Sequence, residues 1–205
     1  MIVDRERFNR AINSFDAAHA EDPNRITVDG IEYPKELLYA RRMSAMLDRF
    51  AIDASEALQL AACCQHIQRW KIARASYPMT RAGYLHWRTR LRDFHAEITD
   101  TILRAAAYDD NTIARVCSLL RKEHLQKDAE AQVLEDVAVL VFLEGDLEDF
   151  VHTHSGYDEA KLIEILRKIL KKMSVDGHKA ALTMIDLPPM LLPAIQKAIG
   201  SEALT

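Results

Sequence analysis

The sequence predicts an all-α protein, and three observations carry that expectation. Only six glycines and six prolines occur in 205 residues, which leaves little room for the turns of a many-stranded sheet. Apolar residues recur at spacings of three and four over long stretches, as in Phe8, Ala11, Ile12 and Phe15. Capping residues such as Thr80, Asp109, Asp158 and Ser174 stand just before those stretches. The reading is a single domain over residues 1–205, a bundle of seven to nine helices.

The elements follow in order. Residues 4–19 read as a first helix, stopped by Asp22-Pro23-Asn24. Asp29-Gly30 lies between Ile26/Val28 and Ile31/Tyr33, which suits one short hairpin near residues 26–33 or an extended loop. Pro34 fits the first position of a second helix, 34–50. Asp53 with Glu56 resembles a capping box that opens a third helix, reaching about Lys71. A loop over 72–79 ends at Tyr77-Pro78, and Thr80 caps a long fourth helix to about Ala107. Asp109 or Asp110 caps a fifth, and 128–151 reads as a sixth with an apolar middle from Val137 to Leu143. Asp158 opens a seventh to Lys172, Ser174 an eighth, and Pro188-Pro189 a ninth.

Composition narrows the class. Apolar residues make up 49% and charged ones 28%, as in ordinary globular domains. No apolar run is long enough to span a bilayer, and Met1 to Arg10 lacks the apolar core of a signal peptide. Cys63, Cys64 and Cys117 show no metal-knuckle spacing and read as buried thiols, which points to a cytoplasmic location.

Charge is distributed unevenly. From Ala57 to Arg92 there is no Asp or Glu, while Arg69, Lys71, Arg74, Arg81, Arg88, Arg90 and Arg92 fall in that stretch. Trp70, Trp87, His66, His86, Tyr77 and Tyr84 lie among them. The whole chain has a net charge of −4, so this block stands out against an acidic remainder. A local cationic block in an acidic protein suits a small anion, most simply a phosphate. Extended nucleic acid is disfavoured, because nonspecific binding needs a broad positive surface. The opposite block, Asp128 to Ala160, holds ten acids and no Lys or Arg.

On the fourth helix Arg81, Tyr84, Arg88, Arg92 and His95 are spaced by three or four and share a stripe. Arginines in one row with an aromatic between them suit bidentate contact with a phosphate and stacking on a base. Arg69, Arg74, Tyr77 and Trp70 join Arg81, Tyr84 and Arg88 as candidate substrate-binding residues. His66 follows the apolar run Leu60 to Cys64, at the edge of a core. Glu135-Asp136 leads into an apolar helix, where an unpaired carboxylate is costly. His66, Asp136 and Glu135 are the candidate catalytic groups, with His66, Asp136 and His95 as ligands of a divalent metal. The alternative is that the basic stripe only pairs with the acidic block.

Several stretches resemble one family. They are Phe15-Asp16-Ala17 with Asp22-Pro23-Asn24, Pro34 to Tyr39, Gln65 to Trp70, Tyr77 to Tyr84, and Glu135-Asp136-Val137. Together they resemble the DUF4202 family over nearly the whole chain. A more remote similarity is to the HD-domain phosphohydrolases, all-α enzymes that bind divalent metal through His, His-Asp and Asp. In that likeness Glu36 to Met43 corresponds to the first ligand helix, 60–67 to the His-Asp helix, and Glu135 to Val137 to the helix of the last Asp. Tyr39 stands where the first His would be, Gln65 and His66 where His-Asp would be, and only Asp136 matches in type.

The functional expectation is an anion or phosphate site. Its strongest form is a metal-dependent phosphohydrolase acting on a nucleotide or small phosphorylated molecule. The alternatives are a non-catalytic module that binds a nucleotide or an RNA end, and a purely structural protein.

Overall fold

The computed structural model describes residue 2 and residues 4–125, 127–154 and 156–200. Among these the chain is mainly helical, with one two-stranded sheet. The chain divides into two compact units, Met1–Ala131 and Gln132–Thr205. That boundary falls inside a helix, Ala129–Gly145, so no Pro/Gly-rich linker marks it in the sequence.

In the first unit Asp4 caps α1 (Arg5–Ala20), its side chain accepting from the Arg7 amide. The hairpin is present: β1 (Arg25–Val28) pairs antiparallel with β2 (Ile31–Pro34), Val28 opposite Ile31. Asp29 and Gly30 both have positive φ, 52° and 77°, as a two-residue primed turn requires. Asp22 ties the base of this hairpin. Its Oδ1 accepts from the Asn24 amide and side chain, and its Oδ2 from the Glu36 amide at 3.0 Å. The Asp22 carboxylate thus caps α2 (Lys35–Phe50) from a distance, where Pro34 supplies no side-chain cap.

Helix α3 (Glu56–Cys64) is buried from Leu60 through Cys64. Its run of Ala and Cys lets neighbouring helices approach closely. Burial raises the Cys63 thiol to about 12, which keeps it protonated. Two expectations fail here. Ser55 rather than Asp53 is the cap, accepting from the Leu58 amide. The helix also stops at Cys64 instead of reaching Lys71, because Gln68 adopts φ 51°, the left-handed region. Short 3-10 turns follow at Arg69–Lys71 and Arg74–Ser76.

Thr80 caps α4 (Arg81–Ala105) as expected, and Asp109 caps α5 (Asp110–Arg121). Helix α5 packs along α4 and against α3, while α1 and α2 cover the other side of α3. The core of this unit includes Phe15, Met43, Met46, Leu47, Leu60, Ile67, Leu103, Ile113 and Leu119, all nearly inaccessible. Fully burying a side chain of that size contributes about 1.5–3 kcal/mol.

The expected sixth helix over 128–151 is two helices, α6 (Ala129–Gly145) and α7 (Leu147–Thr153). The break falls at Gly145-Asp146, where a poor helix former meets a residue with φ −122°. The described residues therefore hold ten α-helices, one more than the upper expectation. In the second unit α8 (Glu159–Leu170) packs on α10 (Leu192–Ile199), and Ser174 caps α9 (Val175–Thr183). Pro188-Pro189 does not open the last helix. The Pro188 carbonyl instead closes a turn on the Leu191 amide, and Pro193 occupies the first helical turn. No helix among the described residues is long and apolar enough to cross a membrane.

Candidate functional site

The first unit contains a cleft of about 140 Å³ lined by Gln65, His66, Arg69, Tyr84, Trp87, Arg88, Leu91, Arg92, His95, Leu120 and Lys122. The chain brings them together from three places. The turn after α3 supplies Gln65, His66 and Arg69; α4 supplies the stripe from Tyr84 to His95; the end of α5 supplies Leu120 and Lys122. Lys122 sits there because it ends α5 in the left-handed conformation, φ 58°, its amide donating to the Leu119 carbonyl.

The lining has four cationic side chains and no Asp or Glu. Arg88 has no carboxylate partner among the described residues; its guanidinium lies 5.8 Å from the Tyr84 ring centroid. Other arginines are neutralised away from the cleft. Arg90 pairs with Glu97, Arg104 with Asp100 and Asp110, Arg115 with Asp128 and Glu130, and Arg121 with Asp93.

His66 is held from three sides. Tyr39 stacks on its ring, centroids 4.2 Å apart and nearly parallel, and donates its hydroxyl to Gln65 Oε1 at 3.2 Å. Nε2 lies 2.9 Å from Arg69 Nη1. A guanidinium has only donors, so Nε2 must be the acceptor and the ring proton sits on Nδ1. Nδ1 in turn lies 3.3 Å from Glu36 Oε2. Burial, then the charge of Arg69, pushes His66 well below the ordinary histidine range, so the ring is neutral at pH 7. Burial also raises the Glu36 carboxyl, against the pull of Arg69.

His95 is buried and donates Nδ1–H to the Ile67 carbonyl at 2.8 Å. Burial, with the nearby His66 next in weight, lowers it to about 3. Its ring centroid lies 6.1 Å from that of His66.

The remaining expected substrate-binding residues are placed differently. Arg74 lies outside the lining and grips main-chain carbonyls, those of Tyr77 at 3.0 Å and Pro78 at 2.9 Å. It fixes the loop that precedes α4, together with Trp87 Nε1–H donating to the Ile72 carbonyl. The fit is tight: a Cβ on Gly83 would stand 2.1 Å from the Pro78 oxygen. Tyr77 and Trp70 are half-buried and Arg81 is exposed on the first turn of α4; none of them lines the cleft. Arg69, Tyr84 and Arg88 do line it, joined by Trp87, Arg92 and Lys122.

Asp136 and Glu135 belong to the second unit and are buried there. Asp136 has neutral partners. Oδ1 accepts from the Ser174 amide at 2.8 Å and from Gln132 Nε2 at 3.1 Å, and Oδ2 accepts from the Ser174 hydroxyl at 2.6 Å. A Cβ on Gly177 would come within 2.7 Å of the same carboxylate. Asp136 thus anchors the N-terminus of α9, where the helix dipole favours an anion. Burial raises its carboxyl despite those donors.

A divalent cation does not suit the cleft. Its charged lining groups are all cations, and the His66 Nε2 lone pair is filled by a guanidinium. Among the described residues no group of three or more His, Cys, Asp or Glu could hold a metal ion.

Fold and site together define an all-α protein whose first unit carries a cationic, histidine-containing cleft. A family model described as a domain of unknown function, DUF4202, matches residues 9–195, and the chain belongs to that family. No curated protein and no solved structure matches it.

Proposed function

We propose that the protein binds a small phosphorylated ligand in the cleft of its first unit. The observation that carries this reading is Arg88, a cation without a carboxylate partner in a lining that has cations and no acid. Arg88 there lowers the energy of an entering anion without first giving up a carboxylate. Tyr84, which lines the cleft and is exposed, offers a face for the rest of the ligand, as a nucleotide base or sugar requires.

The Glu36–His66 pair supports a second reading, hydrolysis of the bound phosphate ester. A neutral imidazole whose Nδ1 proton faces a carboxylate is an oriented general base once Nε2 is free. An anion that draws Arg69 toward itself would free that atom.

Thermal melting of the full chain against inorganic phosphate, pyrophosphate, nucleoside monophosphates and sugar phosphates tests the first reading. A melting shift present in wild type and lost in Arg88→Ala supports it; no shift with any of these anions overturns it. Incubation of the stabilising esters with the protein, assayed for released phosphate, tests the second. Turnover that is lost in His66→Ala supports hydrolysis, and binding without turnover leaves a non-catalytic module.

A further inference from the structure

His95 holds a feature that simple charge attraction does not use. Its side chain is 4% exposed, and its Nδ1–H is committed to the Ile67 carbonyl. In a neutral imidazole the other nitrogen then carries a lone pair and no proton. Nε2 has no hydrogen-bond partner among the described residues, and the ring lines the cleft. The equivalent atom of His66 is already occupied by Arg69. The cleft therefore presents a bare acceptor in the midst of cations.

We propose that the cleft takes phosphate in a form that keeps a P–O–H, that hydroxyl donating to His95 Nε2 while Arg88 holds the charged oxygens, so that His95 selects phosphate over sulfate. This rests on the phosphate-binding reading above. Sulfate at neutral pH has the shape of phosphate and the charge of its dianion but no proton. Any sulfate oxygen placed against Nε2 sets lone pair against lone pair in a site with little water to screen it.

His95 does not escape that conflict by taking up a proton itself. Arg69 and neutral His66 face it from the turn after α3, Arg88 and Arg92 from its own helix, and Lys122 from the end of α5. The nearby carboxylate, Glu36 on α2, faces Nδ1 of His66. Burial, then His66 and the charge of Arg69, keep His95 neutral across the physiological range. The proton in the contact must come from the ligand.

Calorimetric titration of the full chain with inorganic phosphate and with sulfate, at about pH 6 and about pH 8, tests this. In wild type we expect phosphate to bind at least about tenfold more tightly than sulfate. Inorganic phosphate keeps a P–O–H at both pH values, so the preference should hold at both, while sulfate stays level. His95→Asn keeps a donor for Ile67 but removes the Nε2 acceptor, and should bind both anions alike. Equal binding of both anions by wild type overturns the selection and leaves the anion site intact. Failure of both anions to bind overturns the anion site as well. If His95→Asn does not fold, the wild-type preference decides alone, since sulfate that binds as tightly as phosphate sinks the proposal.

Discussion

Nε2 of His66 accepts a hydrogen bond from the guanidinium of Arg69, at 2.9 Å and three residues away in sequence. One of the two imidazoles of the cleft is thus covered by the cleft's own cation. Arg69 also lies 5.2 Å from the Trp87 ring, which gives the side chain a face to rest on.

Removing that cover should be visible on His66 itself. Burial is the larger cause of its lowered pKa and the Arg69 charge the next. In Arg69→Ala the imidazole should titrate at higher pH than in wild type while staying below an ordinary histidine. Nitrogen-detected NMR of the ring across a pH series reads this directly. An unchanged titration would mean that Arg69 does not control the ring.

Arg88 and Arg74 come from the same basic block and should behave oppositely. Arg88→Ala should leave the melting temperature nearly unchanged and abolish stabilisation by phosphate. Arg74→Ala breaks charge-assisted bonds to the Tyr77 and Pro78 carbonyls, and should cost about 2 kcal/mol. Urea denaturation of both variants, with and without phosphate, separates the roles; a stable Arg74→Ala would refute the structural one.

His95 should make the protein acid-sensitive. Its folded pKa, about 3, lies below the unfolded value of about 6.5. The unfolded chain therefore binds the proton first as pH falls. Stability is full above about pH 6.5 and declines below it, down to about pH 3. Between pH 7.5 and pH 5 this residue should account for a loss of about 2 kcal/mol, absent in His95→Asn. His19 and His66 are also lowered and add in the same sense. Glu36 and Asp136, both raised, act oppositely, since their neutral forms favour the fold at low pH. Comparing wild type with His95→Asn by urea titration at the two pH values isolates the single site, and parallel curves would contradict the assignment.

Asp136 should matter for stability rather than for ligand binding. Asp136→Ala leaves the Ser174 amide without its acceptor, and should cost about 2–3 kcal/mol. Ser174→Ala should cost about 1 kcal/mol as a lost cap. The double variant should cost less than the two together, because the residues share bonds. Strict additivity in denaturant melts would show that they act independently.

Gly83→Ala should be among the most damaging small changes. The added carbon meets a main-chain oxygen, that of Pro78, which no side-chain rotation relieves. A cost of about 2 kcal/mol or more is expected, with weaker phosphate binding because Tyr84 and Trp87 follow on the same turn. A variant that melts like wild type would mean that the loop yields easily.

Much of the fold was legible because caps are local. Thr80, Asp109, Asp158 and Ser174 each accept from an amide three residues on, as their positions predict. The end of α3 was not legible, because Gln68 turns left-handed in a stretch without glycine or proline. Within the site, Arg69, Tyr84 and Arg88 could be found from the basic block. Arg81 shares the stripe and Arg74 the same basic block, but their surroundings differ, and neither spacing nor charge alone says which cation faces a cavity. Lys122 and Glu36 reach the site through tertiary packing, from α5 and α2, with no neighbouring charge pattern to mark them. Tyr39 reaches both Gln65 and His66 across 26 and 27 residues of sequence, a contact that no local pattern marks.

The tie made by Asp22 has a consequence for how the chain tolerates change. Asn24 is fastened to Asp22, its carbonyl receives the Lys35 amide, and Glu36 is fastened to the same carboxylate. The ten residues of the hairpin, 25–34, are therefore an excursion whose two ends are joined beneath it. Lengthening such a closed loop raises its entropy cost only logarithmically. The tip at Asp29-Gly30 is thus a natural point of attachment, where an epitope or fluorophore-bearing peptide can be spliced in while Glu36 keeps its place behind His66.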